Sequence, residues 1–267
     1  MQLMAIINCT PDSFSDGGRF HKSGQIQVTE VLNAAKRAVK DGATILDIGG
    51  ESTRPGSKTL SIEEELSRVI PVVEALRQEL PQVLLSVDTR KSQVARKALE
   101  LGVNFINDVS GLQFDPDMAS VIASYSSARL VLMHSQGNPD TMQDNPNYPD
   151  GVVNGVLAFF KAQLNYALSQ GIQRHQLILD PGFGFGKTIQ HNEELLKNLN
   201  SLQTLELPIL VGLSRKSFLA PSLNPVDRDF VSICAAYHAI SHGASIIRIH
   251  NVDAHSQIVH LAEVLGD

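Results

Sequence analysis

Eight short apolar runs recur along the 267-residue chain, and a polar or charged residue sits at the end of each. In order they are MAIIN, reaching Asn8; ATILDIGG, carrying Asp47; LLSVDT, with Asp88; and FINDV, with Asn107. Then come LVLMH with His134, LILD with Asp180, ILVGLS with Ser214 and IIRIH with His250. Amphipathic stretches of helical length separate them. This alternation predicts an α/β fold, a (β/α)8 TIM barrel, whose site residues stand at the C-terminal ends of the strands. A single run ending in Asp or His carries little information. Eight in series point to one concave polar site ringed by loops. The length agrees, because such a barrel takes about 250 residues, and a chain of this size buries roughly 75% of its unfolded surface.

No linker, low-complexity tract or composition shift divides residues 1–267, so they read as one domain. The two cysteines, Cys9 and Cys234, are too few for a disulfide framework. They read as reduced, buried thiols, which points to the cytoplasm. A formal net charge of -6 argues against a nucleic acid held on a basic surface. No run approaches the ~20 apolar residues of a membrane span, and no cleaved signal is visible.

Strand one begins almost at Met1, and helix one is expected from about Gln25 to Lys40. Ser61 and Glu64 have the spacing of a capping box at the start of helix two, which ends before Pro81. Further helices are expected near Val152–Ser169 and Asn192–Leu199. Long loops follow strands one, two and five, as binding loops and lids of barrels often do.

Asp88, Asn107 and Asp180 end strands three, four and six. Converging there, they suit a ligand edge rich in N–H donors, because a carboxylate accepts two side by side. They could equally cap helices or pair with Arg90 or Lys187. Lys216, Arg248 and His250 follow strands seven and eight, where many barrels place a phosphate site; rim ion pairs are the other reading. Arg248 alternates with Ile247 and Ile249, so it either faces the lumen or costs stability. Asn8, Thr10 and Asp12 open loop one, where they suit Mg²⁺ or merely form turns. PGFGFGK lacks P-loop spacing and reads as a tight turn presenting Phe183 and Phe185, as core cover or as an aromatic wall. His134 reads as a satisfied core or rim histidine.

Eight segments together resemble the dihydropteroate synthases of folate biosynthesis: IINCTPDSFSDGG, DIGGESTRPG, SVDTRK, INDVSG, LMHSQGNPDTMQ, LDPGFGFGK, GLSRKS and IIRIHNV. They run from strand one to strand eight. The resemblance implies a transferase that joins 6-hydroxymethyl-7,8-dihydropterin diphosphate to p-aminobenzoate, with Mg²⁺, by an SN1-like path. It implies pterin binding by Asp88, Asn107, Asp180 and Lys216. It puts the diphosphate on Asn8, Arg54, Arg248 and His250, and the metal on Asn8 and Asp12. Around p-aminobenzoate, where sulfonamides also bind in the family, it puts Phe14, Thr53, Pro55, Phe185, Lys216 and Ser217. The catalytic set so implied is Asp88, Asp180, Lys216, Arg248 and His250. A homodimer through the late helices is also implied, with Ile233, Ala236, Tyr237 and Ile240 as its apolar face.

One departure stands out. The last motif usually reads RxHDV, and here Asn251 replaces the aspartate, removing a charge beside His250. A pterin-dependent methyltransferase barrel and a non-catalytic pterin-binding paralogue remain open as other readings. The SRKS and RIH cations, with the TPDSFSDGG loop, weigh against the first, and intact Asn8, Arg54, Lys216, Arg248 and His250 weigh against the second.

Overall fold

The structure, a computed structural model, describes residues 1–10, 21–22, 25–52, 59–137 and 142–265. Its first half runs β1 (Gln2–Asn8), α1 (Val28–Lys40), β2 (Ile45–Gly49), α2 (Ile62–Glu79), β3 (Leu84–Asp88), α3 (Ser92–Glu100), β4 (Phe105–Asp108) and α4 (Met118–Ala123). The second runs β5 (Arg129–Met133), α5 (Val152–Ser169), β6 (Leu177–Asp180), α6 (Ile189–Lys197), β7 (Ile209–Val211), α7 (Asp229–Ser241), β8 (Ala244–Ile249) and α8 (Val252–Leu265). Successive strands pair in parallel, and β8 closes on β1. The chain is a closed (β/α)8 barrel, as its apolar runs predict.

Strand alternation sorts side chains into two cores. Outward-facing Leu46, Ile48, Val87, Leu130, Ile247 and their like pack under the helices. Inward-facing Met4, Ile45, Phe105, Val131, Ile178, Leu210 and Ile246 form a separate cluster that plugs the lumen. Step two residues further along four of the strands and the inward position turns polar: Asp47, Asn107, Asp180 and Arg248, with Asp88 one step higher. Register confirms the level, since Ile6 pairs with Asp47 and Gly49 with Asp88. The barrel is therefore a greasy plug carrying a charged floor. Each fully buried aliphatic side chain in that plug contributes roughly 1.5–3 kcal/mol, which offsets the burial of the charges above it.

Several helix boundaries follow local chemistry. The Ser61 hydroxyl accepts from the Glu64 amide at 3.2 Å and the Glu64 carboxylate accepts from the Ser61 amide at 3.3 Å, the expected capping box of α2. Ser61→Ala should cost about 1 kcal/mol, read as a shift of the urea midpoint; no shift would mean water replaces the cap. Helix one starts at Val28 rather than Gln25, because Gln25–Ile26 pairs antiparallel with His21–Lys22. Helix six starts at Ile189 rather than Asn192, because Thr188 accepts from the His191 amide at 3.1 Å and caps it earlier. Cys9 is buried, as expected, and its Sγ donates to the Ile7 carbonyl at 3.8 Å. Cys234 is free but exposed on α7, correcting the buried reading. No helix among the described residues is long and apolar enough to cross a membrane.

Candidate active site

A cavity of about 450 Å³ opens at the C-terminal mouth of the barrel. Its floor carries Asp88, Asn107, Asp180 and Arg248, and its wall carries Asn8, Phe185, Lys216, Ser217 and His250. The nine come from the ends of six strands or the loops just beyond them, and the barrel's closure brings them together. Asp12, Phe14, Thr53, Arg54 and Pro55 lie outside the described residues.

Arg248 is the centre of the floor. Its Nε donates to Asp47 Oδ2 at 2.6 Å and its Nη2 to Asp88 Oδ2 at 3.0 Å. The alternation with Ile247 and Ile249 thus turns it into the lumen. Burial alone would lower its pKa, but Asp47 and Asp88 outweigh burial and raise it. Burial pushes Asp88 up to about 8; Arg248 opposes this and Asp47 reinforces it. One guanidinium is shared by the two carboxylates. Asn107 donates its amide to Asp47 Oδ2 at 3.2 Å. A carboxylate only accepts, so this contact fixes the amide's orientation. Asn107 Oδ1 then stays buried with no partner among the described residues, as does Asp47 Oδ1. Buried acceptors of this kind call for a donor-rich ligand edge.

Asp180 accepts from the Gly182 amide at 2.8 Å, and burial raises its pKa against that bond and the Lys216 charge. Lys216 stands over the Phe185 ring at 4.5 Å from its centroid. Burial pulls its ammonium down to about 8, with Asp180 opposing. Neither alternative pairing of the two aspartates forms. Arg90 binds Glu51 at 2.6 Å, and Lys187 turns away from Asp180 to other acceptors.

Residues 181–187 form a tight turn held at many points. Lys187 Nζ lies 2.9 Å from His134 Nδ1 and donates to the carbonyls of Gly182 and Phe185 at 2.9 and 3.0 Å. Gly184 gives its amide to Asn192, and Tyr148 donates to the Gly186 carbonyl. Gly182 has φ +66°, and a Cβ there would sit 2.0 Å from the His134 carbonyl, so only glycine fits. Phe183, expected to be presented by the turn, is buried at 1% exposure and stacks on Phe218 at 6.0 Å. Phe185 reaches the cavity. His134 is buried, and burial plus the Lys187 charge hold its imidazole far below the usual range. It is a satisfied core histidine.

Loops seven and eight interlock. Ser214 Oγ accepts from the His250 amide at 3.2 Å and lies 3.0 Å from His250 Nδ1. Asn251 does not address His250; its amide donates to Asp229 Oδ2 at 3.0 Å. Beneath loop two, Lys91 bonds Glu51 and Glu65, the latter at 2.5 Å. Asp47, Glu51, Arg215 and Asp229 were all absent from the expected site. Asp47 alone had a visible signal, since it ends its run at the inward register.

A family described as "Pterin binding enzyme" matches residues 4–250. The dihydropteroate synthase of Synechocystis sp. is 44% identical over 266 residues, covering 98% of this chain and 89% of that one. A dihydropteroate synthase structure from Yersinia pestis, in complex with a sulfonamide drug, superposes with TM-score 0.93 at 42% identity, over 99% of this chain and 94% of that one. The Xanthomonas albilineans enzyme bound to 4-aminobenzoic acid gives TM-score 0.89 at 39% identity, over 99% and 93%. With this cavity at the mouth of this barrel, the chain belongs to the pterin-binding enzymes and, among them, to the dihydropteroate synthases.

Proposed function

We propose that this enzyme joins 6-hydroxymethyl-7,8-dihydropterin diphosphate to p-aminobenzoate, giving 7,8-dihydropteroate and pyrophosphate. The floor of acceptors beneath a cationic wall carries this reading. The guanidine-like edge of a pterin is a row of N–H donors, and Asp88, Asn107 and Asp180 accept from it while Lys216 faces a ring acceptor. The diphosphate lies toward the mouth on Asn8, Arg248 and His250, joined by Arg54. Phe185, Lys216 and Ser217, with Phe14, Thr53 and Pro55, surround p-aminobenzoate.

Asn8 offers a hard carboxamide oxygen at the cavity wall, and the described residues contain no cluster of three acidic, His or Cys groups that could cage a metal. That donor set fits Mg²⁺, which takes one or two protein oxygens and completes its shell with water and phosphate. Asn8 and Asp12 would hold it. When bound, Mg²⁺ neutralises charge on the departing diphosphate. Arg248 and His250 do the same from the barrel side. The bond to the pterin CH₂ breaks first, in an SN1-like path, and the anions of Asp88 and Asp180 stabilise the cationic pterin. The aromatic amine of p-aminobenzoate then attacks, so no strong general base is required. Binding is ordered in this reading, with the p-aminobenzoate pocket completed after the pterin diphosphate binds.

The reading also includes a homodimer in the cytoplasm. Of the expected dimer face, Ala236 and Ile240 are buried against the barrel, and Ile233 and Tyr237 are half-buried. Phe230 at the start of α7 is 74% exposed, and Leu261, Val264 and Leu265 are exposed on α8. Neither Cys9 nor Cys234 is in a disulfide, which suits a reducing compartment.

The pH profile of kcat/KM for the pterin diphosphate tests the site assignment. Asp88 must be ionised to accept two N–H groups, so the rate rises with pH through its value of about 8. Lys216 must be protonated, so the rate falls as pH passes its value of about 8. A narrow bell centred near those values is expected, its limbs belonging to the coupled set, and Lys216→Met should abolish the alkaline limb. A flat profile would contradict the assignment.

A further inference from the structure

Arg215 lies between Ser214, which bonds His250, and Lys216, which overhangs the cavity. It is one of three non-glycine residues among the described ones with left-handed backbone, at φ +61°. For a residue with a Cβ that conformation costs free energy and persists where surroundings impose it. Here they do. The Arg215 amide donates to Ser232 Oγ at 2.8 Å, and its carbonyl accepts from Arg228 Nη1 at 3.3 Å. Its guanidinium forks onto Asp229, Nε to Oδ1 at 2.7 Å and Nη2 to Oδ2 at 3.0 Å. The left-handed turn reverses the chain there and sends Lys216 back over the cavity.

The same Oδ2 of Asp229 also accepts from the Asn251 amide at 3.0 Å. Asn251 Oδ1 accepts from the Ala254 amide at 3.3 Å, at the start of α8. That contact aims the NH₂ group at Asp229. We infer that Asp229 and Asn251 act together as positioning residues, clamping Arg215 so that Lys216 faces the pterin, and that position 251 must be an amide because Asp229 already supplies the carboxylate. The departure from the usual aspartate is thus one half of a matched pair. An aspartate at 251 would set a second carboxylate against Asp229 Oδ2, with one guanidinium for both.

The surroundings of Asp229 are accounted for. Arg215 faces it from loop seven, Asn251 from the end of β8, and His255 from α8. Burial would raise its pKa, but hydrogen bonds from Arg215 and Asn251 hold it below the usual range. Burial lowers His255, whose Nδ1 lies 2.7 Å from the Asn251 carbonyl.

The inference rests on the synthase reading, and the test separates the two. Asn251→Asp, Asp229→Asn and the double swap are compared with the parent enzyme in kcat and KM from about pH 5.5 to about pH 8.5. Asn251→Asp should lower kcat/KM for the pterin diphosphate about tenfold near pH 8, and less near pH 5.5, where the two carboxyls share a proton. Asp229→Asn should lower it about tenfold or more at every pH. The swap returns one carboxylate and one amide, so it should recover to within about threefold of the parent. An Asn251→Asp enzyme that is unimpaired, or impaired equally at all pH values, overturns the inference, as does a swap no better than Asp229→Asn. If Asp229→Asn does not fold, the pH dependence of Asn251→Asp alone decides. If the parent makes no dihydropteroate, the synthase reading fails, and the clamp is judged from melting temperatures: additive effects of the two substitutions overturn it.

Discussion

Arg248→Met should destabilise the barrel by about 3 kcal/mol and abolish measurable turnover, a loss of roughly a thousandfold or more. The stability loss comes from what is left behind. Asp47 is fully buried and Asp88 nearly so, and both lose their cation. Breaking a buried pair costs more than the pair contributes, because the survivor stays in a poor dielectric. The variant's pH dependence follows. Without Arg248 the folded pKa of Asp88, already raised by burial, rises further above the ~3.9 of an unfolded chain. A raised folded pKa gives stability that is full below the unfolded value and is lost as pH rises through the folded one. Arg248→Met should therefore recover stability in acid, and the parent should recover less. Adding Asp47→Asn removes one stranded charge and should restore about half the lost stability. It should restore no turnover, since the diphosphate still lacks its guanidinium. Urea midpoints at two pH values check this; an unchanged midpoint would mean that water, rather than Arg248, solvates the floor.

The second large effect is expected at Lys187. Its ammonium has three N–H groups and three acceptors: His134 Nδ1 and the carbonyls of Gly182 and Phe185. That match assigns the His134 proton to Nε2. Burial lowers Lys187 to about 7, with Asp180 opposing. Lys187→Met strands all three acceptors and should cost about 3 kcal/mol. It also releases the turn that seats Phe185 beneath Lys216. KM for p-aminobenzoate should rise by more than about tenfold, with a smaller change for the pterin. Lys187→Arg should fail to rescue, because a planar fork cannot reproduce a three-way cage. Equal losses for both substrates would show that the turn supports the whole floor rather than one wall.

Much of this was legible in the order of residues. Strand periodicity puts Arg248 in the lumen because its neighbours must face the helices, and the same parity selects Asp88, Asn107 and Asp180. What escaped was tertiary. Phe183 and Phe185 flank one glycine, and nothing local tells which enters the core. Lys187 could have paired with Asp180, and the competing cage depends on His134, 53 positions earlier. Glu51 meets Arg90 and Lys91 across about 40 positions, a contact made by the neighbouring ends of β2 and β3. Asn251 sits next to His250 in sequence, yet its side chain acts on Asp229, 22 residues upstream. Helix α7 lies between them in the chain and brings its first residue back over loop seven.

The decisive measurement is product formation by the purified protein with Mg²⁺, the pterin diphosphate and p-aminobenzoate, each left out in turn. Dihydropteroate and pyrophosphate appearing in equal amounts, and only when all three are present, is the expected result. Binding of the pterin diphosphate with no product, or pyrophosphate released without p-aminobenzoate being consumed, would contradict the proposed synthase reaction.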